Sequence, residues 1–523
     1  MTTHFQTLRS VLCKMRDDFA TTALSRSSRV GVISAFVITV ALILVGYDGC
    51  GCLFTGYDDS YITYRYAQNL ATGKGLVFNV GDATDSASSF LYTILLALAH
   101  LVGLHDLPLA ATVIGIACAA CVAANVYLIG LERTRHPLLA LFVAVTLGTH
   151  GLVSGWAVSG METLLFMFLI TLAVLRLFVR GALGWFEATL VIAALLARFE
   201  GLLLAAVWLA LVLARFARVA QPERLSLIRQ IAAVGGSFAL FLSFKYWMYG
   251  TILPHAFALK TITRLYAPQP NALWNVWSSS APALSVFAIA GLFSLPPRVE
   301  SAAFVLYCVV STVSLLLGPS ADYARYSVHM LPIAAALASV PLVRLIRAQP
   351  VLGLAACWLI ASQSYSSFQG MRSAVERGAE HSICRRQIGA FLERTLEPGT
   401  PVLSSDIGVI AYAAPSITFI DAVGLTSKDV LEARKRGESV DPVLLARKPL
   451  FIADTCHGSC TTPEEFSTYG WLSQQAYWKT RMPRHEYSSL MQNGRLLERC
   501  QTTDGFAFGV ARFELRSPTV RTP

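Results

Sequence analysis

Apolar runs of about 15–24 residues, long enough to cross a bilayer, recur along this chain from Val30 to about Ser367 and then stop. Such runs leave one architecture open. In hydrocarbon every backbone N–H and C=O has to be satisfied within the segment, so the chain must cross as helices. A span takes about 20 residues, with tolerance for tilted or short ones. Composition agrees: 14% of the residues are charged and 54% hydrophobic, against roughly 25% charged in soluble chains. The fold class is a polytopic α-helical membrane protein with a soluble tail.

Loop charge orders the spans. Arg9, Lys14, Arg16, Arg26 and Arg29 precede the first apolar run, and no small-x-small cleavage site follows it. An uncleaved first span with a cytoplasmic N-terminal tail (1–29) is expected. The basic loops 176–184, 214–229, 296–301 and 344–350 then belong to the cytoplasm. "SGMET" (159–163), "ARFEG" (197–201), "YGTILPHAFALK" (249–260) and "GPSADYARY" (318–326) fall on the opposite side, together with Asp58 and Asp59. Three apolar segments lie between Phe90 and Met161, where an even number of crossings is required. The shortest, "TILLALAHLVGL" (93–104), reads as only partly inserted, leaving "ERTRH" (132–136) cytoplasmic. The count becomes about eleven spans, and an odd number puts the tail outside. The net charge of +10 is scattered over these loops, with no basic, aromatic-interleaved run. Membrane lipid is the expected surroundings, and nucleic acid is not an expected partner.

Three regions follow: the tail 1–29, a membrane region 30–369 with a first external loop at 49–92, and a soluble domain 370–523. In the last, "TPVLSSDIGVIAYAAPSITFIDAVGL" reads strand, turn, short helix, strand; "PLFIAD" and "FAFGVARFEL" read as further strands. A small α/β domain fits. Its Cys384, Cys456, Cys460 and Cys500 are even in number, which permits disulfides outside the cytoplasm, whereas Cys118, Cys121, Cys308 and Cys357 sit in apolar runs as small core residues. "CHGSC" (456–460) offers one His and two Cys, short of four zinc ligands, and reads as a disulfide loop.

"YDDSYITYRYAQNLATGKG" (57–75) carries the candidate chemistry. A helix can run from Asp59 or Ser60, either of them suited to the N-cap, until Gly73 and Gly75 stop it. Tyr61, Tyr64, Arg65 and Gln68 then share one face, and tyrosines suit the headgroup layer. A short helix along the outer membrane surface is expected. Capping accounts for one carboxylate but not two, and a carboxylate held there can take a proton from an acceptor hydroxyl.

The same stretch, "DDSYITYRYAQNLATGKGLVFN", resembles the first external loop of bacterial GT-C glycosyltransferases, which take sugars from polyprenyl phosphates. The resemblance is strongest to the terminal arabinofuranosyltransferases. "SGMET", "RFEG", "YGTILPHAFALK" and "SSDIGVIAYAAPSITFIDAVGLT" are similar to family segments in the same order. The family usually reads Arg-Pro-Glu-Gly where this chain has Arg198-Phe199-Glu200-Gly201, and Asn often replaces His255. The resemblance implies a GT-C fold in a bacterial inner membrane with a periplasmic C-terminal domain. It implies an inverting transferase that moves a sugar, arabinofuranose for the nearest relatives, from a polyprenyl-phosphate donor to a glycan or protein acceptor. It implies Asp58 as the catalytic base and Asp59 as its helper.

A departing lipid phosphate gathers negative charge, so the outer cations Lys260, His255, Arg198 and Arg325 are candidates to receive it. Glu162, Glu200, Tyr64 and Arg65 complete the expected substrate-binding set. Arg198 and Glu200 also read as an ion pair at a helix junction, and Glu162 as a charge favouring a helix N-terminus. No carboxylate cluster calls for a metal, and no cofactor is expected. A transporter or flippase of lipid-linked sugars is the alternative. It would require paired inverted repeats and helices broken at midplane, and the sequence carries neither signal.

Overall fold

The computed structural model describes residues 26–87, 89–262, 281–317, 323–438, 441–456 and 491–515. Helix α1 (Arg26–Asp48) enters from the N-terminal side and leads through a loop to α2 (Asp58–Ala71) and α3 (Phe90–Leu101). At 12 residues α3 spans only about 18 Å, too short to cross alone, which fits the reading of 93–104 as partly inserted. Helix α4 (Leu107–Thr134) starts where the Asp106 side chain accepts the Leu109 N–H and ends at Arg135, in the left-handed region at φ 57°. The bent pair α5 (Pro137–Gly148) and α6 (Gly151–Val158) follows, then α7 (Thr163–Ala173), which continues as π-helical turns over Val174–Val179. Helices α8 (Trp185–Ala197), α9 (Gly201–Phe216), α10 (Gln221–Tyr249), α11 (His255–Ile262), α12 (Pro282–Leu292) and α13 (Val299–Leu317) come next. A short α14 (Tyr323–Ser327) and one 3-10 turn feed α15 (Leu331–Ala348), and α16 (Pro350–Thr395) leads out of the bundle.

Among the described residues, four helical segments are long and apolar enough to cross a membrane: Ser27–Asp48, Leu107–Thr134, Gln221–Tyr249 and Arg325–Ala348. The α5–α6 pair, bent by 53°, makes a fifth if counted as one span, and six more apolar helices are 10–17 residues long. Length thus gives four or five full crossings where charge alternation predicts about eleven. The short ones include α8 and α9, separated by the charged corner Arg198–Glu200, and α7, which is continued by the π-helical turns.

Loops that charge assigned to the same side do meet. Arg180 donates to Glu132 from both Nε (2.8 Å) and Nη2 (2.6 Å), and Arg344 donates to Ser294 Oγ at 3.1 Å. At the opposite end Arg325 approaches Asp59 and Glu162, and Arg198 joins Glu162 to Glu200. The two ends of the bundle are chemically distinct.

Helix α16 runs unbroken for 46 residues, so the change of sequence character near Gly370 marks no break in the backbone. Beyond it lie β1 (Pro401–Ser404), α17 (Val409–Ala413), β2 (Thr418–Asp421), α18 (Lys428–Arg436), α19 (Asp441–Ala446), β3 (Phe451–Cys456), β4 (Met491–Gln501) and β5 (Ala507–Leu515). They form one sheet in the order β2-β1-β3-β5-β4. Strand β1 pairs parallel to both β2 and β3, while β5 pairs antiparallel to β3 and β4. Every strand read from the sequence is present, and β4 is added. Disulfides join Cys50 to Cys52 and Cys384, on α16, to Cys500, on β4. Cys118, Cys121, Cys308 and Cys357 are free, as their apolar surroundings predict. Cys456 is disulfide-bonded, and the rest of "CHGSC" lies outside the described residues.

The tail and the first loop share a hydrophobic core. Ile62, Tyr66 and Phe78 of the loop pack with Ile388, Val402, Phe419 and Val510 of the tail and with Tyr249 of α10. Arg65 rivets this contact. It is 3% exposed, and its guanidinium donates to the carbonyls of Phe78 (2.8 Å), Ile417 (2.9 Å), Ala414 (3.3 Å) and Ala411. It also lies over the Phe78 and Phe419 rings. A buried guanidinium needs this many acceptors to offset its lost hydration.

The same packing corrects three expectations. Helix α2 begins at Asp58, and its N-cap is Tyr57, which makes no side-chain cap; neither Asp59 nor Ser60 caps it. Tyr61, Tyr64 and Tyr66 are fully buried, so their rings are not the exposed interfacial tyrosines expected: the tail packs over α2. The Arg65 guanidinium, expected in the substrate-binding set, is occupied by backbone carbonyls.

Replacing Arg65 by Met would keep volume and leave up to four carbonyls short of a donor, each costing about 1–3 kcal/mol when buried. Arg65→Met should therefore lower the unfolding temperature in detergent markedly and open the tail to limited proteolysis. A variant that melts and resists protease like the parent contradicts this account.

Candidate active site

The first turn of α2 sends its two carboxylates in different directions. Tyr57 N–H donates to Ser159 O at 2.7 Å and Ser60 Oγ donates to Tyr57 O at 2.6 Å, fixing the helix start against "SGMET". Gly160 completes the seat. Its φ is +73°, a conformation that favours glycine, and a Cβ there would meet the Tyr64 hydroxyl. Tyr64 and Tyr92 hydroxyls both donate to Gly160 O at 3.1 Å. Tyr64, expected in the substrate-binding set, is a buried strut between the loop and the bundle.

Asp58 points at the tail. Its Oδ1 accepts the Val409 N–H at 2.9 Å at the start of α17 and lies 3.5 Å from Arg385 Nε on α16. Among the described residues its Oδ2 has no hydrogen-bond partner. Gly408 makes this approach possible, since a Cβ there would fall 2.2 Å from Asp58 O and 2.5 Å from its carboxylate. The side chain remains 20% exposed. Burial raises its carboxyl well above the ordinary carboxylate range; Arg385 and the Val409 N–H oppose that rise and neighbouring Asp406 adds to it. One oxygen is anchored and the other is open, in a group whose proton affinity has been lifted.

Behind Asp58 the network continues into the crevice between β1 and β3, where the connections from β1 diverge. Arg385 Nη2 donates to Asp406 Oδ1 at 3.0 Å, Thr455 Oγ1 to Asp406 Oδ2 at 2.6 Å, and Ser405 N and Oγ to Asp454 Oδ2 at 2.8 and 2.7 Å. Burial, then Asp406, raises the Asp454 carboxyl as well.

Asp59 points at the bundle. It is 50% exposed and lies 3.5 Å from Arg325 Nη1. Arg325 Nη2 reaches Glu162 Oε1 at 3.3 Å; Arg198 Nη1 reaches the same oxygen at 2.9 Å and Glu200 through Nη2 at 2.7 Å. Burial alone would neutralise Glu162, but Arg325 and Arg198 outweigh it and hold its carboxyl below the usual range. Tyr326 offers its ring to both guanidiniums. The outer loops "SGMET", "RFEG" and "YARY" are thereby brought to one point, as their expected common side requires. The Arg198–Glu200 ion pair expected at the helix junction is present, and it belongs to this larger cluster.

Of two further expected members, one stands apart. His255 is buried at the start of α11, where burial, then Lys435 and Lys428, lower its ring to about 4. That shift favours the neutral ring over a cation. Lys260 lies in α11, and its side chain is outside the described residues. Missed from the sequence is Lys245, which pairs with Asp85 at 2.6 Å with both side chains buried. With Arg198, Phe90 and Phe241, these two line a small cleft between α3, α8 and α10. Its signal was legible, for Lys245 is a lone charge in the apolar stretch "SFALFLSFKYWMYG". Among the described residues, no three His, Cys, Asp or Glu side chains are arranged to hold a metal ion.

Comparison with known proteins gives a fold and a domain. The crystal structures of ArnT from Cupriavidus metallidurans, one bound to undecaprenyl phosphate and one in the apo state, each superpose with a TM-score of 0.53. Each is 13% identical, covering 91% of this chain and 97% of the other. The membrane region and tail together share the overall fold of those structures. A domain of unknown function (DUF8728) matches residues 371–496. No curated protein sequence matches the chain.

Glu162 is the acid both buried arginines share, so its loss should outweigh that of an exposed partner. Glu162→Gln should cost about 3–5 kcal/mol, as a broken buried pair does. Glu132→Gln, whose pair with Arg180 is partly exposed, should cost under about 1 kcal/mol. Equal melting shifts for the two variants in detergent would show that the cluster is not the electrostatic centre described.

Proposed function

We propose that this protein is an inverting glycosyltransferase of the outer membrane face, moving a sugar from a polyprenyl-phosphate donor to an extracytoplasmic glycan or protein. Arabinofuranose is the sugar favoured by the first-loop resemblance. The observation that carries the reading is Asp58, one oxygen anchored by Val409 N–H and Arg385 and the other open, beside an arginine cluster at the same end of the bundle. Fold likeness to a protein solved with undecaprenyl phosphate supports the donor class.

On this reading Asp58 Oδ2 takes the proton of the acceptor hydroxyl as its oxygen attacks the anomeric carbon. The bond from that carbon to the phosphate oxygen breaks, and polyprenyl phosphate leaves with the electron pair. Attack opposite the leaving group inverts the configuration. Arg198 and Lys245 border the cleft next to the cluster, and together with Arg325 and Lys260 they would stabilise the departing phosphate. Asp59 would hold Arg325 in position. No step requires a metal or a cofactor. Disulfides tying α16 to β4 and closing Cys50–Cys52 fit an oxidising compartment for the tail and first loop, hence a periplasmic placement in a bacterial inner membrane.

Asp58→Asn keeps shape but cannot take a proton, so it should lower transfer by purified protein about a hundredfold to ten-thousandfold. Asp59→Asn should lose less, and both should fold. Because the base must be ionised, kcat/KM should rise with pH, along an acid limb above the roughly 3.9 of an ordinary aspartate. Arg385→Gln removes a cation that favours the ionised form, so it should move this limb to higher pH. A dead Asp59→Asn beside an active Asp58→Asn would transfer the base role to Asp59. Full activity in both would remove the carboxylates from the chemistry.

A further inference from the structure

A cavity lies at the opposite end of the bundle from the candidate active site. Its volume is about 320 Å³, within the roughly 300–1,000 Å³ range of small-molecule sites. It sits among α4, the π-helical turns Val174–Val179, the start of α13 and the middle of α15, and its floor is apolar, with Phe178, Phe304 and Leu337. π-Helical turns are uncommon and concentrate at functional sites.

Its rim is basic and only partly compensated. Arg180 is satisfied by Glu132. Arg133 and Arg298 also line the cavity, and among the described residues neither side chain has a carboxylate or carbonyl partner. Arg133 instead has a like charge, Arg344, as its neighbour. Of the charged residues that line the cavity, Arg133, Arg180 and Arg298 stand against Glu300 alone, which leaves the lining at a net charge of +2. The loops that carry it are those assigned to the cytoplasmic side by their charge.

We propose that this cavity binds an anionic phospholipid of the cytoplasmic leaflet, its phosphate on Arg133 and Arg298 and part of an acyl chain against Phe178 and Phe304. An apolar floor beneath unpaired guanidiniums suits an amphiphile with a negative head, and basic pockets between helices on this side of a membrane take such headgroups. A free anion would gain the rim but leave the floor empty. The site is remote from the transfer chemistry and does not depend on it.

The test is binding to the purified full-length protein in mild detergent, read by native mass spectrometry and by thermal shift. Cardiolipin and phosphatidylglycerol should bind and raise the unfolding temperature, while phosphatidylethanolamine should do neither. The double variant Arg133→Gln/Arg298→Gln should weaken anionic lipid binding at least about tenfold, the loss of about 1.4 kcal/mol or more. Arg229→Gln, on α10 and away from the cavity lining, should not. Ala336→Met fills the cavity and leaves the charges in place, so it should weaken binding too and carries the test if the double variant fails to fold. Equal binding of phosphatidylethanolamine overturns the proposal, as does cardiolipin binding unchanged in Ala336→Met. Stabilisation by inorganic phosphate alone that matches that by lipid would make this a free-anion site and would equally overturn it.

Discussion

The Asp58 carboxylate meets the Val409 N–H at 2.9 Å, and that contact can exist only if bundle and tail are held in fixed register. A carboxylate removed from water needs donors. Here they come from residues more than 300 positions away, on α16 and α17 of the tail. Arg65 makes the reciprocal connection, carrying positive charge from the loop to carbonyls at the end of α17. Two charges of opposite sign cross the same boundary in opposite directions, and the shared core of Tyr66, Phe78 and Phe419 fills the space between them. The tail is therefore part of the site's construction.

This arrangement separates the acids by task. Asp58 lies against Arg385 of α16 and keeps a raised proton affinity, as the proposed base would need. Asp59, one residue on, stays half-exposed beside Arg325. Glu162 keeps two guanidiniums charged and close together in a buried place, where like charges would otherwise repel. An arriving phosphate would compete for Arg325 most easily with Asp59, the most exposed acid of the cluster and the one at the longest distance. Donor binding and the freedom of Asp59 would then be linked.

Much of this was legible in the sequence. Loop charge placed "SGMET", "RFEG" and "YARY" on one side, and they converge. Alternating apolar residues and turn signals located β1, β2, β3 and β5. What could not be read were contacts made by partners distant in sequence. Tyr61 and Tyr64 look like interfacial tyrosines until the tail covers them, and Arg65 looks like a phosphate ligand until four carbonyls from two regions surround it. Asp58 opens the helix in place of Asp59 because Ser159 O holds Tyr57 in an extended conformation, a constraint set about 100 residues away. Arg385 was hidden in a helix that reads as the passage between regions. Strand β4 was hidden by Asn493-Gly494, a hairpin-turn signal that falls instead where the β4–β5 register shifts.

The central claim is that this protein consumes a lipid-linked sugar at the outer face of the membrane. The most direct measurement is mass spectrometry of lipid-linked sugars and envelope glycans from a strain lacking the gene, followed by incubation of the accumulated lipid with purified protein and acceptor. The account predicts that a polyprenyl-phosphate sugar accumulates, that one glycan or glycoprotein residue is lost, and that purified protein converts the lipid to polyprenyl phosphate with inverted linkage in the product. Unchanged lipid-linked sugars and unchanged glycans in that strain, with no turnover of any polyprenyl-phosphate sugar by the folded protein, would contradict it.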